Sequence, residues 1–271
     1  MTRFSECFLL VFAQLAAGGM IGLTLPPSSV VERGFYKSSA AVFLTAALAF
    51  LAGRIALGLR PEATPNPLEL VTWAAFALTL SVYLASMWGK SGRLRARSFT
   101  ASLVLALVAL TVSSAGYRIG PALGAAALLY PLGFVLSALV LGAVATGMLL
   151  GHWYLIDVGL SIVPLKRLAT YYMGVLVLQL AVLLLTLATL AVSVGPGRDA
   201  VLLLWEQHRA LLAMRVGLGP VAALAIGVLI HRTLAIPQTM AATGLFYIAT
   251  LAVLVGEMLG RLILFRTSLP L

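Results

Sequence analysis

Apolar runs long enough to cross a lipid bilayer recur from one end of this sequence to the other. A spanning helix needs about twenty predominantly apolar residues, and eight such runs occur in the chain. Of its 271 residues, 62% are hydrophobic and 10% are charged, unlike a soluble domain. Backbone groups in lipid must be satisfied within each segment. We therefore predict an all-α integral membrane protein, a bundle of about eight transmembrane helices in a single polytopic domain, 1–271. The predicted helices lie near 7–25, 39–59, 68–88, 99–117, 131–153, 168–194, 210–231 and 239–264.

The chain has a formal net charge of +10, and its basic residues concentrate in short connections on one side of the predicted bundle. The positive-inside rule and lipid phosphates account for this charge, so no nucleic-acid partner is expected. We predict that this side faces the cytoplasm and that both termini lie on the outer, periplasmic side of the cell inner membrane. The connections follow the first, third, fifth and seventh helices and contain Arg33, Lys37, Lys90, Arg93, Arg95, Arg97, Lys166, Arg167 and Arg232.

Cys7 is the single cysteine of the sequence. One thiol excludes internal disulfides, cysteine zinc sites and iron–sulfur clusters ligated by this chain alone, and we expect no metal site. The HExxH, P-loop and GxSxG signatures are also absent from the sequence. If the protein takes part in redox chemistry, its electron carrier is a partner subunit, a quinone or a haem.

Two local patterns predict how individual helices are built. Small residues recur on one face of the first helix and would allow close packing against a neighbour. The sequence GLGP, residues 217–220, predicts a kink in the seventh helix, because proline removes a backbone donor. The small residues of the first helix are Ala13, Ala16, Ala17, Gly18 and Gly22.

The last apolar run contains an acid and a base, Glu257 and Arg261, where the rest of the sequence suits hydrocarbon. Charges inside a membrane are costly and often functional, and two residues four apart share one helix face. Arg54, Arg60 and Arg215 are expected at a similar depth near the outer face, where all five residues would surround one cavity. The alternative is that the arginines extend to lipid headgroups and Glu257 only pairs with Arg261.

His152 and His231 end the fifth and seventh predicted helices on the cytoplasmic side. Two imidazoles at matching depth on different helices could be axial ligands of one b-type haem. However, His152 belongs to GHWYLID, residues 151–157, and its aromatic neighbours are equally typical of an interfacial belt. His208 is expected on the opposite side and cannot join the pair.

The first helix contains VFAQLAAGGMIGL, and the last ends with GEMLGRLILF. These stretches resemble the opening and closing helices of the membrane anchor subunits of DMSO reductase-type molybdoenzymes, which are related in role to polysulfide reductase membrane subunits. The middle of the chain has only a looser similarity, in TGMLLGHWYLI. The matching positions are Gln14, Glu257 and Arg261. Near the outer end of the second helix, where the family has a histidine, this chain has Arg54.

The resemblance implies an anchor that docks an iron–sulfur subunit, which serves a molybdopterin catalytic subunit, and that oxidises quinol near the docking face. We thus expect a quinone-interacting subunit of a respiratory oxidoreductase complex, not catalytic on its own, using menaquinone or ubiquinone. Glu257 would transfer the proton and Arg261 would hold its charge. Alternatives are a b-type haem cytochrome using the two histidines, and a small-molecule transporter or assembly factor without a redox role. The candidate contacts of the quinone headgroup are Gln14, Arg54, Arg60 and Arg215.

Overall fold

The structure is a computed structural model, and it describes residues 2–59, 66–118, 125–157, 159–236 and 238–271. Within these ranges the chain forms ten α-helices and one short π turn, without a β-strand. The elements are α1 (Thr2–Gly22), α2 (Arg33–Gly58), α3 (Pro67–Ser86), α4 (Gly92–Ala115), α5 (Ala125–Trp153), α6 (Val163–Val192), α7 (Pro196–Gln207), α8 (Arg209–Val216), the π turn (Gly217–Val221), α9 (Ala222–Ala235) and α10 (Thr239–Thr267).

Eight helical segments are long and apolar enough to cross a membrane. They are α1 to α6, the continuous stretch Arg209–Ala235 that contains α8, the π turn and α9, and finally α10. The prediction of an all-α bundle of about eight spanning helices is therefore confirmed for the described residues. Predicted boundaries differ by several residues, because polar residues at helix ends fall outside an apolar window. For example, α2 begins at Arg33 rather than at residue 39.

Because eight spans alternate in direction, the start of α1 and the end of α10 lie at the same end of the bundle, which we call the termini end. Tyr130, near the start of α5, donates a hydrogen bond of 2.6 Å to the carbonyl oxygen of Ser268, just after α10. The opposite end, which we call the basic end, carries the connections rich in Lys and Arg. That this end faces the cytoplasm stays a prediction from the charge pattern.

Helix α1 lies in the core of the bundle and packs most closely against α5. A Cβ atom on Gly18 would overlap the backbone carbonyl of Ala138, and one on Gly142 would overlap the backbone of Gly18. The small-residue face predicted for the first helix is thus confirmed. The two backbones approach so closely that glycine is required on both helices.

The seventh span is kinked at the predicted place. Gly219, inside the π turn, has a non-helical ψ of −107°, and Pro220 follows it without a backbone N–H. Gly219 also packs directly on Gly256 of α10, where a Cβ atom would overlap the Gly219 backbone. The kink therefore brings the seventh span against the charged part of α10.

Helix α7 was not predicted, because a search for bilayer-length apolar runs overlooks an amphipathic helix of 12 residues. Pro196 occupies its first turn, a favourable position for proline. On its buried face, Leu204 packs against Leu269 and Leu271, which follow α10. Trp205 on the other face is exposed. The helix thereby covers the end of the chain at the termini end.

The connection before α3 determines where one charged residue, Glu69, lies. Asn66 begins α3 by accepting hydrogen bonds from the backbone N–H groups of Leu68 and Glu69, at 3.1 and 3.3 Å. Pro67 takes the first helical position. This cap fixes Glu69 in the first turn of α3, at the termini end of the bundle.

Candidate functional site

Glu257 is the centre of a charged cluster between four helices. Its Oε1 accepts hydrogen bonds from Arg215 Nη2 at 2.9 Å and from Gln179 Nε2 at 2.7 Å. Its Oε2 lies 3.4 Å from Nη2 of Arg261, one helical turn away. The same Arg261 nitrogen donates to Ser137 Oγ at 2.5 Å. We call these five residues the Glu257 cluster.

The five members of the cluster come from four helices. Helix α10 supplies Glu257 and Arg261 on one face, as their spacing predicts, while α5 supplies Ser137 and α6 supplies Gln179. Arg215 lies in the last turn of α8, and the kink that follows turns this span toward α10. Gly256 leaves room for Arg215, since a Cβ atom there would lie 3.2 Å from Arg215 Nη1.

The cluster is fully buried and has one formal positive charge in excess, because two arginines surround one glutamate. The side chains of Glu257, Arg215 and Arg261 are each 1% exposed. The alternative that these arginines extend to lipid headgroups is therefore wrong for Arg215 and Arg261. A buried group of this kind is stable only when its charges and donors are paired within the protein or by a ligand.

Several donors and one acceptor at this site have no partner among the described residues. The atoms Nε and Nη1 of Arg261 and Nε of Arg215 are buried without an acceptor. Gln14 donates from Nε2 to the carbonyl oxygen of Phe134 at 3.3 Å, but its Oε1 has no donor. The guanidinium carbon of Arg261 lies 4.8 Å from the centre of the Phe134 ring. The unpaired N–H groups can therefore donate hydrogen bonds to a ligand oxygen or to water.

The space beside the cluster is small in this structure. A cavity of about 10 Å³ borders Ser137, Gln179 and Arg215, and residues Pro270 and Leu271 close it. Such a volume is about the minimum for one water molecule. An aromatic ring could enter next to Glu257 only if the segment after α10 moved.

A second charged network lies between α2, α3 and α4 at the termini end. Arg54 forms an ion pair with Glu69, whose side chain is 3% exposed while that of Arg54 is 23% exposed. Ser113 donates to Glu69 Oε1 at 2.7 Å, and Trp73 Nε1 donates to Ser113 at 2.9 Å. We call these four residues the Glu69 network. Unlike the Glu257 cluster, it reaches the protein surface through Arg54.

Glu69 was not predicted as a site residue from the sequence. The signal that could have identified it is an acid in the first turn of a spanning helix, directly after Asn66 and Pro67. Arg54 was also expected to share a cavity with Arg215. Instead, Arg54 pairs with Glu69 and Arg215 pairs with Glu257. Arg60, the remaining candidate headgroup contact, lies outside the described residues.

Aromatic side chains separate the two charged groups. Tyr117, just after α4, stacks on Phe134 with ring centres 5.8 Å apart and meets Phe265 edge to face at 5.5 Å. Tyr117 is within electrostatic range of both Arg54 and Arg261. Burial raises the pKa of Tyr117 above the usual tyrosine value, so its hydroxyl stays protonated and can donate a hydrogen bond near neutral pH.

The two histidines proposed as haem ligands are both exposed at the basic end. His152 Nδ1 lies 3.4 Å from the hydroxyl oxygen of Tyr247 on α10, and His231 lies in α9. Cofactor ligands in helical bundles normally point into the core, so this placement gives the haem alternative no support. A reduced-minus-oxidised spectrum of the purified chain without Soret and α bands would exclude it.

The two charged groups are suited to proton transfer and to hydrogen bonding of a polar headgroup, because they combine acids, guanidinium donors and aromatic faces. Among the described residues, no group of three or more His, Cys, Asp and Glu side chains is arranged to hold a metal ion. Comparison with known protein families finds no family model that matches this chain, and comparison with curated proteins also finds no match.

Proposed function

We propose that this protein is the membrane anchor and quinone-interacting subunit of a respiratory oxidoreductase complex. It would pass electrons between the quinone pool and an iron–sulfur partner subunit, which would serve a molybdopterin catalytic subunit. The observation that supports this proposal best is the pair of buried acids, Glu257 and Glu69, each held by arginine at the same end of the bundle. Buried ionisable residues in membrane helices are unusual and commonly belong to proton or ligand pathways.

Quinol oxidation would require a proton acceptor and a route to water. One quinol loses two protons and two electrons and becomes quinone, and the electrons pass to the iron–sulfur subunit. Glu257 would accept a proton, and Arg261 would hold the carboxylate in position. Glu69 would be the next proton acceptor on the way to the surface, because it is a carboxylate whose partner Arg54 is partly exposed, and the Tyr117 hydroxyl would bridge the aromatic layer between the two groups.

The headgroup would bind beside the Glu257 cluster after displacement of the segment that follows α10, because the cavity there is too small for a ring as it stands. The Phe134 ring, whose centre lies 4.8 Å from the guanidinium carbon of Arg261, supplies an apolar wall there. The unpaired Arg261 donors fit the oxygen of a quinone, and the free Oε1 of Gln14 fits the hydroxyl of a quinol. Both oxidation states of the headgroup would thus find a hydrogen-bonding partner.

Purification of the tagged full-length chain from its native membranes tests the assignment to a complex. We expect a subunit containing iron and acid-labile sulfide to co-purify, and menadiol, a soluble naphthoquinol, to be oxidised as its two electrons reduce the iron–sulfur clusters of that subunit. A preparation that contains no such subunit and leaves menadiol unoxidised would contradict the proposal and favour a transporter or an assembly factor.

The Glu257→Gln substitution tests the role of the acid within that complex. Amide cannot accept the quinol proton, and loss of a general base typically lowers a rate by at least about a hundredfold. We therefore expect the rate of menadiol oxidation per mole of co-purified iron–sulfur subunit to fall by at least about a hundredfold. Glu206→Gln is the matched control, because Glu206 is exposed on α7 at the same end. Wild-type rates in assembled Glu257→Gln complex would show that Glu257 is not the base.

A further inference from the structure

A cavity of about 660 Å³ opens at the basic end, far from both charged groups described above. It lies between the α1–α2 connection, the end of α3 and the start of α4. Tyr36, Tyr83 and Phe99 form aromatic walls, and Arg33 and Arg95 line it. The volume is within the range of roughly 300–1,000 Å³ that is common for small-molecule sites.

Two features make the cavity electropositive, and an N–H group of Arg95 adds an unpaired donor. Arg33 and Arg95 contribute two positive charges. Helices α2 and α4 both begin at its rim, and helix N-termini attract anions. The Nε atom of Arg95 is buried without an acceptor, although its Nη2 donates to the carbonyl oxygen of Gly89 at 3.1 Å. Glu32 is the neighbouring acid, but it is exposed and borders a shallow extension rather than the cavity itself.

An apolar groove continues from the cavity along the outside of α4. Ala96 borders both spaces, and the groove of about 580 Å³ then follows Ala101, Val104 and Leu105 toward the middle of the span. Val104 is 56% exposed, as expected for a side chain that faces lipid. An anion-binding cavity and an apolar groove are therefore joined, in the same order as the headgroup and the acyl chain of a phospholipid.

We propose that this cavity and groove form a binding site for an anionic phospholipid. Arg33, Arg95 and the two helix N-termini hold the phosphate and headgroup, and the groove on α4 holds the start of one acyl chain. Free phosphate shares the headgroup chemistry but would leave the groove without a role. The site does not depend on the proposed redox function, because it shares no residue with the Glu257 cluster or the Glu69 network.

The binding test uses the purified, delipidated full-length chain in detergent, with native mass spectrometry and thermal unfolding as readouts. Phosphatidylglycerol is expected to bind and to raise the unfolding temperature, whereas phosphatidylcholine binds more weakly. The double variant Arg33→Gln/Arg95→Gln is expected to lower the affinity for phosphatidylglycerol about tenfold, because each basic residue near a membrane surface contributes a several-fold preference for anionic lipid. Equal binding of the two lipids by the wild-type chain would overturn the proposal.

Two control variants distinguish lipid binding at this site from nonspecific electrostatic attraction and from a loss of folding. Arg93→Gln removes the same charge from an exposed position in the first turn of α4 that does not border the cavity, and it should leave the affinity unchanged. An equal loss of affinity in Arg93→Gln would contradict the proposed site. If the Arg95 substitution prevents folding, Arg33→Gln alone is expected to weaken binding several-fold, and wild-type affinity in this variant would likewise contradict the proposal.

The source of the phosphate is tested separately. Ala101→Phe fills the groove and leaves the arginines in place, so it should weaken binding of phosphatidylglycerol but not of glycerol 3-phosphate. Inorganic phosphate at millimolar concentration should give less stabilisation than the lipid. If inorganic phosphate stabilises the chain as well as phosphatidylglycerol and Ala101→Phe has no effect, the site binds free phosphate and the lipid proposal is wrong.

Discussion

Glu257→Ala is expected to lower the free energy of unfolding by roughly 3–5 kcal/mol, the usual cost of removing one partner from a buried ion pair. The substitution leaves Arg215 and Arg261 buried at 1% exposure without a counter-charge. It also removes the acceptor of the 2.7 Å hydrogen bond from Gln179. Glu257→Gln should cost less, because its side-chain carbonyl still accepts a hydrogen bond from Arg215.

Unfolding of the purified chain in detergent, by heat or by titration with SDS, measures this loss. The matched control is Glu206→Ala, which removes an exposed acid and should change stability by less than about 0.5 kcal/mol. The triple variant Glu257→Ala/Arg215→Met/Arg261→Met should recover most of the loss, because replacing a whole buried ionic group by apolar side chains is often neutral or stabilising. Wild-type stability of Glu257→Ala would mean that the three charges do not depend on one another.

The features that were predicted correctly are determined by residues that lie close together along the chain. The eight spans follow from the number of apolar residues that a bilayer requires. The kink at 217–220 follows from Gly219 and Pro220, and the shared face of Glu257 and Arg261 follows from their spacing of four residues. None of these features needs knowledge of which helices are neighbours.

The parts of the site that were not predicted depend on contacts between helices that are distant in the sequence. Arg215 meets Glu257 across 42 residues, and Ser137 meets Arg261 across 124. A hydropathy pattern gives the depth of each residue but not its neighbours, so Arg54 and Arg215 were expected in one cavity. Glu69 was overlooked because an acid in the first turn of a spanning helix resembles an ordinary polar helix end.

Gly18→Ala is expected to destabilise the bundle by about 3 kcal/mol or more, at the upper end of the range for overpacked cores. The added Cβ atom would overlap the carbonyl group of Ala138 at the crossing of α1 and α5. Since the obstacle is backbone, the helices must separate, and this movement would also disturb the hydrogen bond from Gln14 to Phe134. Unfolding in detergent measures the loss.

Two further variants control this prediction, because the group that a Cβ atom on Gly18 would overlap is the backbone carbonyl of Ala138. Adding Ala138→Gly to Gly18→Ala should not restore stability, because it removes a side chain and leaves the clashing carbonyl in place. Gly174→Ala, on the exposed face of α6, adds the same methyl group where nothing lies within 4 Å. Alanine is the better helix former by about 1 kcal/mol, so this variant should be neutral or slightly stabilised. Equal stability of Gly18→Ala and Gly174→Ala would show that α1 and α5 do not require close backbone contact, and the position of Gln14 beside Phe134 would then need another explanation.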